Sequence, residues 1–131
     1  MRRLSLIAAL MCLISIVGCG GPVFFLPAGE LAGTVSTDQI DDWSFLTETF
    51  MDLETNADKP YSVVLNYIVR DGNLYIDPEE GKTWFKYLRQ NLEVRVRFGD
   101  TIYPVQAVLV GKPGELEGFD ASRFIYRLDS R

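Results

Sequence analysis

The 131-residue chain contains no histidine and only two cysteines, Cys12 and Cys19. Without histidine, the chain can form neither a Ser-His-Asp nor a Cys-His catalytic arrangement, and it cannot supply an imidazole ligand to a metal. Cys12 lies inside an apolar amino-terminal segment, and Cys19 follows that segment closely. If the segment is removed, Cys19 alone remains, so no intrachain disulfide bond can stabilise the mature protein.

Basic residues are also scarce. The chain has 13 Lys and Arg against 18 Asp and Glu, a net charge of −5; without Arg2 and Arg3 the balance is 11 against 18, or −7. Nucleic-acid binding and electrostatic docking on anionic lipid both need a basic surface, so the composition disfavours both. The acidic pairs Asp41-Asp42 and Glu115/Glu117 lack EF-hand spacing and predict no calcium site.

The chain also lacks an apolar run long enough to span a bilayer, which takes roughly 20 residues. Its longest run, residues 4–17, has 14 residues and follows Arg2-Arg3. A charged start, an apolar centre and then the small residue Gly18 are typical of a cleaved secretory signal, which predicts residues 1–18 as a signal peptide. A single transmembrane anchor is the less favoured alternative.

Residues 16–19, Ile-Val-Gly-Cys, resemble the bacterial lipobox. The resemblance implies that Cys19 becomes the first mature residue and carries a diacylglyceryl group plus an N-linked acyl chain, enough for stable membrane anchoring. Gly20, rather than aspartate, then implies sorting to the outer membrane, facing the periplasm, in a Gram-negative cell. A plain cleaved signal with an incidental cysteine remains the alternative. Export could use the general secretory route or, from a faint twin-arginine likeness at residues 2–6, the folded-protein route.

The mature chain of 113 residues fits one domain. Residues 19–37 are rich in glycine, proline and small residues, which predicts a lipidated amino terminus and tether. Within it, Phe24-Phe25-Leu26 could pack on the domain or lie at the membrane surface. Residues 38–131 form the predicted domain.

Alternating apolar residues predict strands over residues 43–53, 61–69, 74–76, 94–98 and 102–110, with a last strand at 123–128. Asp71-Gly72 and Gly99-Asp100 are hairpin signals. Asp77, Pro78 and Glu80 fit the N-cap, N1 and N3 positions of a helix that runs to about Asn91, with Thr83 as an alternative N-cap. The pattern predicts a mainly β (α+β) fold, a small antiparallel barrel of five to six strands with one short inserted helix.

Five segments together resemble the split β-barrel superfamily of pyridoxamine phosphate oxidase and the deazaflavin-dependent reductases. They are residues 60–63, 71–75, 84–91, 94–96 and 103–107, which read PYSV, DGNLY, WFKYLRQN, VRV and YPVQA. The likeness spans about residues 30–128. It implies a split barrel that often dimerises, with FMN or a deazaflavin between the subunits.

The resemblance implies a cofactor site around Lys82, Thr83, Trp84 and Lys86. The chain departs from the family pattern there, because Leu92 replaces a usual proline and the acidic segment 77–81 replaces the segment that grips phosphate. Anions in the first turn repel a phosphate. The alternatives are a solvated Lys82, an N-cap Thr83 and a core Trp84. Arg95 and Arg97 are expected on a solvated face.

Two functions remain open from the sequence. The favoured one is a lipid-anchored, non-catalytic envelope module that binds a small ligand or a partner protein, with no catalytic residue assigned. The alternative is a flavin- or deazaflavin-dependent oxidoreductase of the nitroreductase or quinone reductase type. Export disfavours the second, because reduced nicotinamides are scarce outside the cytosol. No dimer interface is identifiable from the residues.

Overall fold

The computed structural model describes residues 20–131. The predicted signal peptide, residues 1–18, and Cys19 lie outside the described residues. Within residues 20–131, no helix combines the length and apolar character that crossing a membrane requires.

Eight strands and one helix make up the described chain. In chain order they are β1 (Thr34–Val35), β2 (Met51–Thr55), β3 (Tyr61–Leu65), β4 (Ile68–Arg70), β5 (Asn73–Ile76), α1 (Thr83–Gln90), β6 (Glu93–Phe98), β7 (Thr101–Gly111) and β8 (Ile125–Ser130). The strands form one sheet in the order β3-β2-β6-β7-β8-β5-β4. Neighbours in this order are antiparallel, whereas β1 lies parallel to the start of β7.

The sheet curls into a half-barrel for two reasons: β7 pairs with two different strands along its length, and the edge strands β3 and β4 are close neighbours in the chain. The first part of β7 pairs with β6 and the rest pairs with β8, with a register shift between Leu109 and Gly111. β3 and β4 occupy the two opposite ends of the strand order, yet only residues 66 and 67 separate them in the chain. Two residues span at most about 11 Å from one strand end to the next, so the two edges must come together. The predicted antiparallel split barrel with one short helix is confirmed.

The strand count and several boundaries differ from the prediction, and the last strand spans Ile125–Ser130 and not residues 123–128. Residues 43–50 form turns and coil, and β2 begins only at Met51. Trp43 nevertheless is only 3% exposed, because its ring packs against Tyr103 and Phe98 at centroid distances of 5.4 and 6.5 Å. The alternation there therefore reflects an aromatic cluster and not a strand. The predicted strand 61–69 is divided at residues 66–67, where the chain leaves β2 and joins β5.

The helix begins five residues later than an Asp77 N-cap requires. Gly81 has φ +91°, a conformation that an α-helix excludes, and Lys82 takes the N-cap position in an extended conformation. Thr83 is the first helical residue and not the cap. The predicted end near Asn91 is confirmed, with Asn91 as the C-cap.

The core lies between the concave face of the sheet and the helix. Trp84, Phe85 and Leu88 of α1 are buried against fully buried sheet residues that include Met51, Leu53, Val96, Val105 and Leu128. Each large side chain buried in this way stabilises the domain by about 1.5–3 kcal/mol relative to an exposed one.

Arg95 and Arg97 do not lie on a solvated face, so that expectation is wrong. Cross-strand register places Glu54 opposite Arg95 and Asp52 opposite Arg97. Arg95 donates two 2.8 Å hydrogen bonds to the Glu54 carboxylate, and Arg97 Nε donates to Asp52 at 2.9 Å. Arg97 also donates to the carbonyls of Gly20 and Ala32.

Residues 20–36 run along the sheet and bond to it repeatedly. Ala28 and Ser62 exchange two main-chain hydrogen bonds of 3.0 and 2.8 Å, and the Leu31 N–H donates to Glu54 at 2.7 Å. Thr34 and Ser36 donate to the carbonyls of Asp100 and Ile102. Part of the segment predicted as a tether is thus hydrogen-bonded to the sheet.

Candidate functional site

A groove lies at the split of the barrel, between the end of β3 and the start of α1. Two adjoining depressions of about 230 and 430 Å³ share Phe25, Val64, Leu65, Lys82 and Trp84 as lining residues. The first also reaches Ile76 at the end of β5, together with Asp77, Glu79 and Arg123. The groove therefore has an apolar wall from β3 and Trp84 and a charged end beyond β5.

One side of the groove is the free edge of β3. Ser62 uses both its N–H and its C=O to bind Ala28, which lies outside the sheet. Because main-chain groups alternate along an antiparallel strand, the N–H and C=O of Val64 point to the same side, away from β2. Val64 lines both depressions, and within residues 20–131 no loop or turn supplies it with a main-chain hydrogen bond. Among the described residues, the N–H and C=O of Val64 are thus a main-chain donor and acceptor without a partner at the groove.

Trp84 combines the two roles that the sequence left open. It is 9% exposed and packs beside Phe85 at a centroid distance of 6.1 Å, so it belongs to the core. It also lines both depressions of the groove. Any ligand there would contact an indole that the core already holds in place.

The charged end of the groove is internally paired. Lys82 Nζ lies 3.6 Å from a Glu79 oxygen. Arg123 lies 4.0 Å from a carboxylate oxygen of Asp77 and 3.8 Å from one of Glu79, and it donates a 3.1 Å hydrogen bond to the Asp77 carbonyl. Two cations therefore face two carboxylates, and the charges of these four residues sum to zero.

Asp77 is the groove residue with a perturbed acidity. Burial raises the pKa of its carboxyl group, and the attraction of Arg123 opposes part of that effect. Among residues 20–131, the buried Arg123 Nε has no hydrogen-bond partner. The charged end is thus partly desolvated, which makes it costly to add a further anion there.

These residues do not fit a phosphate group. An anion at the start of α1 would have to displace Glu79 from Lys82 or Arg123, and it would also meet Asp77. The groove therefore does not suit the phosphate of FMN.

The four residues predicted to hold a cofactor do not all lie together. Lys82, Thr83 and Trp84 line the groove. Lys86 lines a separate depression of about 450 Å³ on another side of α1, beside Arg89 and Glu80. Lys82 and Thr83 are exposed and reach both places.

Sequence reasoning missed Arg123, Val64 and Phe25 as groove residues. Arg123 is 41 positions from Lys82, and no motif links them. The pattern of residues 77–80 predicts a helix start, and it gives no sign that Asp77 and Glu79 pair with Arg123. The sequence places Phe25 in the predicted tether, and it gives no sign that Phe25 lines the groove. Within residues 20–131, no group of three or more Cys, Asp or Glu side chains is arranged to hold a metal ion.

No known protein family matches the chain, and no curated protein matches it either. Among solved structures it is similar to a candidate pyridoxamine 5′-phosphate oxidase from Listeria innocua. The two are 17% identical with a TM-score of 0.49, over 63% of this chain and 84% of the other.

Proposed function

We propose that this protein is a lipid-anchored envelope protein whose half-barrel is a non-catalytic module that binds a ligand or partner in the groove between β3 and α1. The observation that carries the binding role is the groove itself, with an apolar wall, unused main-chain groups at Val64 and charges already paired among themselves. The anchor is supported by the lipobox-like residues 16–19.

The chemistry of the groove favours an extended, uncharged and partly apolar ligand. Phe25 and Trp84 offer aromatic surface, and Val64 and Leu65 offer aliphatic surface. The outward N–H and C=O of Val64 are the groups that an added strand uses, as in recognition by β-augmentation. A segment of an envelope partner could therefore extend the sheet at β3, beyond the bridge that Ala28 already makes.

A titration with FMN tests the non-catalytic assignment. We expect the purified mature chain to bind FMN more weakly than about 1 mM, corresponding to less than about 4 kcal/mol of binding free energy. Absorbance and tryptophan fluorescence both report binding, since Trp84 lines the groove. The matched variant Glu79→Gln frees Lys82 and Arg123 and should strengthen FMN binding. Micromolar binding by the unaltered chain, lost in Lys82→Ala, would refute the assignment.

The second candidate function is the flavin- or deazaflavin-dependent oxidoreductase. It is favoured by one observation, that Lys82, Thr83 and Trp84 line a common groove. Turnover of a quinone or nitro compound that needs both Lys82 and Trp84 would establish it in place of the binding module. A homodimer could complete such a site, and sedimentation of the mature chain measures that state directly.

The anchor has its own test. In a Gram-negative host we expect a fatty-acid probe to label Cys19 and the chain to fractionate with the outer membrane, because two acyl chains bind a bilayer stably. Cys19→Ser should abolish labelling and release the chain from membranes, whereas Cys12→Ser should change neither. Stable retention of unlabelled Cys19→Ser chain would show that no lipid anchor operates.

A further inference from the structure

Four consecutive apolar residues form an exposed turn at the start of the described chain. Val23, Phe24, Phe25 and Leu26 are 42%, 84%, 69% and 69% exposed. We call residues 23–26 the apolar turn. Single exposed apolar residues are ordinary on a protein surface, but a contiguous exposed patch marks an interaction surface.

The fold holds the apolar turn in place. The Leu26 N–H donates to the Val23 carbonyl at 3.2 Å, and Phe24 takes the left-handed conformation with φ +54°. On one side of the turn, Arg97 binds the Gly20 carbonyl, and on the other side Ala28 is bridged to Ser62. The Phe25 ring meets the Phe50 ring edge-on at 5.6 Å. The turn is therefore presented at a fixed position on the domain.

The position of the turn in the chain indicates what covers it. Phe24 is five residues after Cys19, so it lies at most about 18 Å from the predicted anchor. A lipid-bearing Cys19 would place Gly20 at the headgroups, and Arg97 binds Gly20 to the same domain that presents the turn. The mature chain carries a net charge of −7 by composition, so its overall charge does not attract it to anionic lipid. Burial of the apolar side chains in the bilayer surface is the interaction that can attract the turn to a membrane that lies within about 18 Å of it.

We propose that the apolar turn inserts into the bilayer surface next to Cys19 and is a second membrane contact. The inference rests on the lipid anchor of the proposed function, and it adds a fixed orientation of the domain relative to the membrane. Phe25 belongs both to the turn and to the lining of the groove. The groove therefore opens beside the membrane, and it would receive partners that lie at the membrane surface.

Quenching by brominated lipid measures the insertion. The mature, anchored chain is placed in vesicles of phosphatidylethanolamine and phosphatidylglycerol whose acyl chains carry bromine, and Phe24→Trp supplies the probe. Leu109→Trp is the control, since Leu109 is a 42% exposed residue of β7 that belongs neither to the apolar turn nor to the lining of the groove. The buried Trp43 and Trp84 give the same background in both variants. We expect roughly twofold or greater additional quenching for Phe24→Trp, with a blue-shifted emission. Equal quenching of the two variants would overturn the inference.

The mature Cys19→Ser chain, residues 19–131 without the apolar signal segment, separates failure of the turn from failure of the anchor. We expect this non-acylated chain to bind weakly to unbrominated vesicles of the same lipids at high lipid concentration, and we expect its affinity not to change with salt concentration. Combining Phe24→Ser with Leu26→Ser should lower the affinity for vesicles about tenfold or more, because apolar surface is lost. Thermal unfolding should be nearly unchanged, because both side chains are exposed. Vesicle binding that the double variant leaves intact would overturn the inference, whereas missing fatty-acid label on Cys19 would overturn the anchor alone.

Discussion

Replacing Glu54 should weaken the fold more than any other single change of charge on the outer face of β2 and β6. The side chain of Glu54 is 7% exposed and that of Arg95 is 23% exposed. The carboxylate accepts two 2.8 Å hydrogen bonds from Arg95 and a 2.7 Å bond from the Leu31 N–H. The bond to Glu54 raises the pKa of Arg95, so the guanidinium stays charged in the folded protein at every accessible pH.

The magnitude follows from what Glu54→Ala leaves behind. Removing one partner of a buried ion pair costs about 3–5 kcal/mol. Arg95 keeps some access to water, and Glu30 lies 3.9 Å from it, which reduces the loss to about 2–3 kcal/mol. The Leu31 N–H loses its acceptor as well, which adds about 1 kcal/mol. We therefore expect a loss of about 3–4 kcal/mol in the free energy of unfolding, a large share of the stability of a small domain.

Urea unfolding of the Cys19→Ser chain, followed by tryptophan fluorescence and circular dichroism, measures this loss. The exposed Glu117→Gln is the control for removal of one negative charge and should shift the free energy of unfolding by less than about 0.5 kcal/mol. Arg95→Met with Glu54→Leu should recover part of the loss, because neither charge then remains buried without its partner. A loss below about 1 kcal/mol in Glu54→Ala would refute the reasoning, since the pair would then behave like a surface ion pair.

Two further predictions concern the groove and a hairpin. Burial raises the pKa of Asp77 above its ordinary 3.8, so ionisation opposes folding: that penalty is absent below pH 3.8 and is complete once the pH exceeds the raised pKa. Asp77→Asn should therefore gain in free energy of unfolding relative to the unaltered chain as pH rises from 3.8 to 7, measured by urea titrations across that range; a constant or falling difference would contradict the burial argument. Gly72→Ala should cost about 1–2 kcal/mol, because Gly72 has φ +77° and an added Cβ would lie 3.0 Å from Asp42 Oδ1. Gly29→Ala, where the added methyl meets only an ordinary 3.8 Å contact, should be nearly neutral in the same thermal unfolding assay, and equal effects of the two substitutions would exclude backbone strain as the cause.

Much of the fold was predictable because its strands carry local signals. The alternation of Val94, Val96 and Phe98 with Glu93, Arg95 and Arg97 predicted β6 to within one residue. Asp71-Gly72 predicted the β4–β5 hairpin, since both residues have positive φ as a type I′ turn requires. The helix start was misplaced because proline, aspartate and glutamate at 77–80 satisfy the N-terminal pattern equally well whether or not the chain continues as a helix.

The site was less predictable, because it is made of residues that are distant in sequence. Lys82, Thr83 and Trp84 were identified together, as neighbours in the chain must be. Arg123 pairs with Asp77 and Glu79 across more than 40 positions, and that pairing decides whether a phosphate can bind. A lysine that is free and a lysine that is paired have the same sequence signature, so only the folded arrangement distinguishes them.

The amino-acid sequence by itself determined the class of the fold, an antiparallel barrel with one helix, because alternation, turn residues and helix spacing act over a few neighbouring positions. It also gave the expectation that Cys19 carries a lipid, which depends only on adjacent residues. The tertiary structure alone decided that Arg95 and Arg97 are paired, that residues 20–36 lie along the sheet and that the apolar turn sits beside the groove. Those features depend on strand order and register, which bring β2, β3 and β6 together with the amino-terminal segment, and no local pattern encodes that order.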